Sequence, residues 1–150
     1  MKRISWPHAI VIFCDDIRQE VGNKQSLMGI YEQELVFSVP DEGAHLTQIC
    51  ALVRLEWPRG RASTEGAFVK ASLPDGKVDV SLPLAGFEEF AAAQPDRKAD
   101  IARLTFKLVN FPCLDGVALS VHLHIDDRRK LLGELHLRAA TGQDSALTWQ

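Results

Sequence analysis

The sequence predicts a mainly β protein: an antiparallel β-sandwich, immunoglobulin-like or C2-like, with about eight strands and one short helix. Three observations carry this expectation. Apolar residues recur at every second position in several segments, as in strands with one buried face. Clusters of Gly, Pro, Asp and Asn recur roughly every eight to twelve residues, the spacing of turns in a sandwich. Only one segment has helical spacing. There is no internal repeat and no linker-like stretch, so the 150 residues are expected to form a single domain. Its core should span roughly 9–139, with 140–150 a polar tail in which Leu147 and Trp149 are available to dock.

The elements follow in order. Ala9 to Cys14 is a continuous apolar run rich in β-branched residues, which suits a strand covered on both faces. Asp15-Asp16 ends the run, and 15–21 is compatible with one helical turn capped by an aspartate. Gly22-Asn23 turns the chain into a second strand, about 25–37, which stops at Pro40-Asp41-Glu42-Gly43. In Gln48–Trp57 the odd positions Ile49, Ala51, Val53, Leu55 and Trp57 are apolar. Ala67, Val69, Ala71 and Leu73 repeat the pattern. Pro74-Asp75-Gly76-Lys77 then predicts a hairpin turn, because Pro presets φ and Gly accepts a positive φ. Val78, Val80 and Leu82 continue as a short strand.

Leu84 to Gln94 is the helix, with Leu84, Phe87, Phe90 and Ala91 near one face and Glu88 and Glu89 opposite; Pro95-Asp96 ends it. Leu104, Phe106 and Leu108 alternate with polar residues, and Phe111 to Gly116 turns the chain. Val117, Leu119, Val121, Leu123 and Ile125 form the cleanest alternation. Leu131, Leu135 and Leu137 follow across Asp127-Arg128-Arg129.

Composition excludes several function classes. The formal charge is −3 with both signs dispersed, unlike the basic footprint of a nucleic-acid binder. Arg59-Gly60-Arg61 and Arg128-Arg129-Lys130 sit beside turn residues and read as solvated turns. Cys14, Cys50 and Cys113 are far apart and odd in number, so free thiols in a reducing cytoplasm are expected, and no C-x-x-C pair offers a zinc or redox motif. Asp15-Asp16 interrupts the first apolar run too early for a signal peptide. No run approaches the ~18 apolar residues of a membrane span. Dinucleotide, nucleophile-elbow and zincin motifs do not occur, and Gly22-Asn23-Lys24-Gln25-Ser26 lacks the Gly-Lys-Ser order of a phosphate loop.

Two clusters remain. Asp15, Asp16, Arg18, Glu20 and Lys24 crowd the first turn. Cys14 beside two carboxylates is a poor nucleophile, since negative charge raises a thiol pKa. The cluster therefore reads as architecture, with Arg18, Glu20 and Lys24 forming a local charge set that fixes the turn. Asp15-Asp16 and Asp126-Asp127 would gather a calcium ion only if both loops share one end of the sandwich; turn chemistry is the simpler account.

The last hairpin carries the sharper chemistry. With odd positions inward, Ser120, His122, His124, Asp126, Lys130, Leu132, Glu134, His136 and Arg138 face out. A loop over 127–129 would pair His122 with Glu134 and Ser120 with His136. His122 and His124, about 7 Å apart at Cα, would add Glu134 to make a divalent-metal ligand set. The competing account is a solvated face with a cross-strand His–Glu pair. An open face gives no pocket and no outer support for ligands, which favours the second.

Cys14-Asp15-Asp16, with Arg18, Glu20, Gly22, Lys24, Ser26, Gly29 and Tyr31, resembles the opening of a family of uncharacterised bacterial proteins. Its pattern is an apolar strand, a polar turn, then Gly-x-Lys-x-Ser-x-x-Gly-x-Tyr/Phe. The strand at Ile49–Trp57, Asp75-Gly76 and the hairpin from Gly116 to Arg138 agree in order, so the likeness covers roughly 9–139. It implies a sandwich-like domain of unknown function and carries over no catalytic residues. The function expected is a non-catalytic binding or assembly module whose partner is a protein or a second copy of the chain. Leu52, Phe68, Val109 and Leu132 are its candidate patch residues. No cofactor, nucleic acid or membrane is expected. The alternative is a metal-binding protein or metal-dependent enzyme using His122, His124 and Glu134.

Overall fold

The computed structural model describes residues 3–38, 43–62, 64–94 and 96–141, and all side chains among these except that of Glu89. The stop at Pro40–Glu42, the helix stop at Pro95 and tail residues 142–150, Leu147 and Trp149 among them, lie outside the described residues. Among the described residues nine strands form two packed sheets, accompanied by one helix. They are β1 (His8–Glu20), β2 (Lys24–Tyr31), β3 (Glu34–Phe37), β4 (Ala44–Pro58), β5 (Phe68–Ser72), β6 (Asp79–Pro83), α1 (Phe87–Ala92), β7 (Ala99–Cys113), β8 (Ala118–Ile125) and β9 (Arg128–Ala139). Sheet A has the order β2-β1-β4-β7 and sheet B the order β3-β9-β8-β5-β6. The predicted sandwich is therefore the observed fold. All pairings are antiparallel except β3 with β9, which is parallel.

Alternation decides what lies between the sheets. Ile49, Ala51, Val53, Leu55 and Trp57 of β4 meet Phe106 and Leu108 of β7 and Leu119, Val121, Leu123 and Ile125 of β8 in one core. Each fully buried large side chain there is worth about 1.5–3 kcal/mol. An exposed ion pair contributes about 0–1 kcal/mol, so the core and not the surface charges holds the sheets together. Trp57 is fully buried; its indole N–H donates to the Ser5 carbonyl at 2.9 Å, and its ring lies 5.6 Å from that of Phe87. The lead-in before β1 and helix α1 thereby close one end of the sandwich.

Four expectations are corrected. Residues 15–21 make no helical turn: β1 runs on to Glu20, because Asp16 to Glu20 pair residue by residue with Met28 to Lys24. Cross-strand pairing overrides the local capping signal. The predicted strand over 25–37 is two strands in different sheets, β2 and β3, separated at Glu32-Gln33. The turn expected from Phe111 begins later, since β7 extends to Cys113. Finally, the β8–β9 loop is the two-residue turn Asp126-Asp127, with Asp126 at φ 56° and Ile125 opposite Arg128. The Pro74-Asp75-Gly76 turn forms as expected: Gly76 N–H donates to Leu73 O at 3.1 Å, and the Asp75 carboxylate accepts from Lys77 N–H at 3.0 Å.

Candidate functional site

The first cluster sits where β1 leaves β4. Pairing of the two strands ends at Cys14 and Cys50, which are register partners. Beyond it, Gln48 Nε2 donates to Asp15 O and to Asp16 Oδ1, both at 3.0 Å. The Cys14 thiol donates to Asp16 O at 3.5 Å. Tyr31 Oη donates to the Asp15 carboxylate. Opposite Asp15 in the β1–β2 register lies Gly29, at φ 66°; a Cβ there would fall 2.1 Å from Asp15 Oδ2. Arg18 pairs with Asp16 at 3.3 Å, while Glu20 and Lys24 face each other at the turn.

The electrostatics are those of a structural site. Burial, then Cys50 and Asp15, pushes the Cys14 thiol up to about 11. Burial, then the Asp15 hydrogen bond, raises the Tyr31 phenol too. Hydrogen bonds from Gln48 and Arg18 hold Asp16 below the usual carboxylate range. A thiol kept protonated in this way is a weak nucleophile at neutral pH. An open groove of about 560 Å³ adjoins the cluster, lined by Tyr31, Leu35, Phe37, His45 and Cys113 among others.

The second cluster does not form the expected set. A bulge between Val121 and His122 places Leu131 opposite His122 and Glu134 opposite Ser120; Ala118, and not Ser120, faces His136. The extra residue is Leu132, which packs against the core, so exposed Leu131 takes the outer place expected of it. His124 stacks on Phe68 at 4.5 Å, His122 lies edge-on to His124 at 6.2 Å, and the Glu134 carboxylate meets His136 at 3.4 Å. Burial, then Arg129, lowers the pKa of His122; burial, then Lys70, lowers that of His124. Among the described residues no group of three or more His, Cys, Asp or Glu is arranged to hold a metal ion. The aspartate pairs lie at opposite ends of the sandwich. Asp126-Asp127 follows His124, which faces Phe68 near α1, whereas Asp15 lies at the end carrying Tyr31 and Cys113.

A third feature is aliphatic. Cys14 and Cys50 are buried, yet they lie outside the core between the sheets. They belong to the outer face of sheet A, where the register places Ile30 beside Cys14, Leu52 beside Ile12, and Met28 beside Asp16. Ile10, Met28 and Ile30 are 42%, 46% and 58% exposed, and Ile12 and Leu52 are half-buried. Val109 is exposed across from Gln48 on the same face. Of the four candidate patch residues, Leu52 and Val109 thus share this face, Phe68 lies on sheet B, and Leu132 is tucked inward.

Sequence reasoning missed the Arg59–Asp100 lock. Asp100 is 5% exposed and accepts from Arg59 Nη1 at 3.1 Å and from Gly60 N–H at 3.0 Å. Arg59 also donates to Ala91 O of α1 at 3.0 Å, so it is no solvated turn residue. A legible signal existed: Asp100 occupies the same inward parity as Ala102, Leu104, Phe106 and Leu108. A carboxylate there demands a buried donor.

Among the described residues, no helix is long and apolar enough to cross a membrane. The chain matches no family model, and neither a curated protein nor a solved structure is found to resemble it.

Proposed function

We propose that the protein is a non-catalytic binding and assembly module, and that the outer face of sheet A is its contact surface. The observation that carries this reading is the run of exposed Ile10, Met28 and Ile30 around half-buried Ile12 and Leu52. Exposed aliphatics on two adjacent strands, continuous with half-buried ones reaching a third, are unusual on a surface that meets only water. Beside the run Asp16 pairs with Arg18 and Arg54 with Glu56, while Arg103 and Lys107, without an ion pair among the described residues, stand on β7 at the far margin of the face, so a two-fold contact centred on β1 and β2 meets little repulsion. A two-fold contact of this face with itself is the simplest assembly.

Size sets the class of contact. Four strands about 4.8 Å apart and about ten residues long cover roughly 600 Å². A standard interface buries about 800 Å² per partner. A contact of that size falls at the low end of specific interfaces, where transient associations are found. The protein acts in the cytoplasm, a location supported by its three free thiols.

Light scattering and sedimentation between 1 and 500 µM (roughly the range where such contacts form) test the reading. The expected result is a concentration-dependent dimer that Ile30→Glu abolishes without loss of thermal stability. A strict monomer over that range overturns the self-assembly reading. A stoichiometric transition metal that survives purification and is lost in His122→Ala would overturn it in favour of the metal-dependent alternative.

A further inference from the structure

Strand β7 is 15 residues long and lies at the margin of sheet A, hydrogen-bonded to β4 on one side. Among the described residues no strand pairs with its other edge. A row of unpaired backbone donors and acceptors of that length is a template for another extended chain. An open groove of about 460 Å³ runs beside it. One wall is Leu84, Phe87 and Phe90; the other is the four consecutive residues Ile101 to Leu104. Consecutive strand residues point to alternate faces, and their common boundary is the strand edge. The groove therefore presents backbone edge together with apolar surface, Phe90 being 55% exposed.

Charge selects the occupant. Arg97 and Arg103 line the groove, and Lys107 lies further along β7. Among the described residues none of the three is ion-paired. Of the described acids nearby, Asp100 is engaged by Arg59 and Glu88 by the Thr64 amide at 2.7 Å. Asp96, next to Arg97 in sequence, makes no ion pair with it. A second copy of β7 would bring Arg103 and Lys107 against their own kind, so these cations oppose edge-to-edge self-pairing. They favour an acidic strand.

We propose that the free edge of β7 and its groove bind an extended acidic peptide segment by strand addition. The backbone of the peptide pairs with β7, alternate apolar side chains settle against Phe87 and Phe90, and its carboxylates meet Arg97 and Arg103. The groove lies at the margin of sheet A furthest from Met28 and Ile30 of β2, and shares with the outer face proposed above only the cations of β7.

Fluorescence anisotropy tests it with a labelled decapeptide of alternating Glu and Val. Saturable binding is expected, at least ten-fold weaker for the matching Lys-Val peptide and at least ten-fold weaker in Arg97→Glu/Arg103→Glu. N-methylation of alternate peptide amides should abolish binding, and Ile30→Glu should leave it unchanged. Failure of the Glu-Val peptide to saturate overturns the proposal. Equal binding of the N-methylated peptide overturns strand addition, and equal binding of the Lys-Val peptide overturns the charge argument. Neither peptide control depends on a variant that must fold.

Discussion

The β1–β2 and β8–β9 hairpins are equally rich in polar residues, yet the fold uses them differently. In β1–β2 the polar groups reach across the structure. Gln48 of β4 holds Asp15 and Asp16, and Tyr31 closes on Asp15 from the neighbouring strand. In β8–β9 the polar groups lie on an open face, where His136 meets Glu134, His124 meets Phe68 and Arg138 meets Glu34 of β3. The difference is one of tolerance. A network whose members each have a fixed partner transmits a substitution to its neighbours, whereas an open face lets side chains move aside.

The largest expected effect follows from that contrast. Gly29→Ala puts a side chain at φ 66° and drives its Cβ into the Asp15 carboxylate, which Tyr31 holds in place. Left-handed backbone alone costs a non-glycine residue about 1 kcal/mol, and the collision adds to it, so a loss of about 2–3 kcal/mol is expected in urea unfolding. Adding Asp15→Ala removes the collision and should recover part of the loss. If Gly29→Ala costs less than about 0.5 kcal/mol, the network is not the rigid one described, and the contrast between the hairpins collapses.

The pH dependence separates the hairpins next. The Cys14 thiol ionises near 9.0 when unfolded and near 11 when folded. Below pH 9 its contribution to stability is fully present. As pH rises from 9 towards 11 the unfolded thiol loses its proton first and stability falls. Cys50, Cys113 and Tyr31 shift in the same direction. The histidines run the opposite way. His122 and His124 titrate below 6.5 in the fold, because burial and the cations Lys70 on β5 and Arg129 on β9 outweigh Glu134. Their contribution is present above pH 6.5 and is lost as pH falls through the window beneath it. Asp16 acts lower still, below 3.8. Urea midpoints measured against pH should therefore decline on both sides. Cys14→Ala should flatten the alkaline limb and His122→Gln/His124→Gln the limb just below 6.5. An unchanged limb in either variant removes that residue from the account.

How far these differences were readable depends on what sets them. The alternation in β4 and β8 is a property of single strands, and both lie where the pattern placed them. The continuous run Ala9–Cys14 was read as covered on both faces. That holds for Phe13 and Cys14, while Ile10 stays exposed on the face proposed for contact. The β8–β9 bulge left one local mark, Gly133, an isolated glycine inside the strand pattern directly after the extra residue. It reverses which of Leu131 and Leu132 faces water and separates Glu134 from His122. The split between β2 and β3 is hidden, because Glu32-Gln33 carries no turn residue. Long-range partners were the least visible: Arg59 and Asp100 are 41 positions apart, and only the inward parity of Asp100 betrayed them.

The smallest expected effect bears on the charges of the first turn. Arg18, Glu20 and Lys24 were expected to fix it jointly, but Arg18 engages Asp16, and only Glu20 and Lys24 stand opposite each other. Both are exposed, so their attraction is screened by water and salt. Lys24→Glu then replaces a weak attraction with a weak repulsion between cross-strand neighbours, which costs about 0.5 kcal/mol or less and should vanish in high salt. The turn itself is set by backbone, with Gly22 at φ 80° and Asn23 at φ 59°. A loss above about 1 kcal/mol, persisting in high salt, would show that charge fixes the turn, and would extend the tightly partnered region of β1–β2 to its tip.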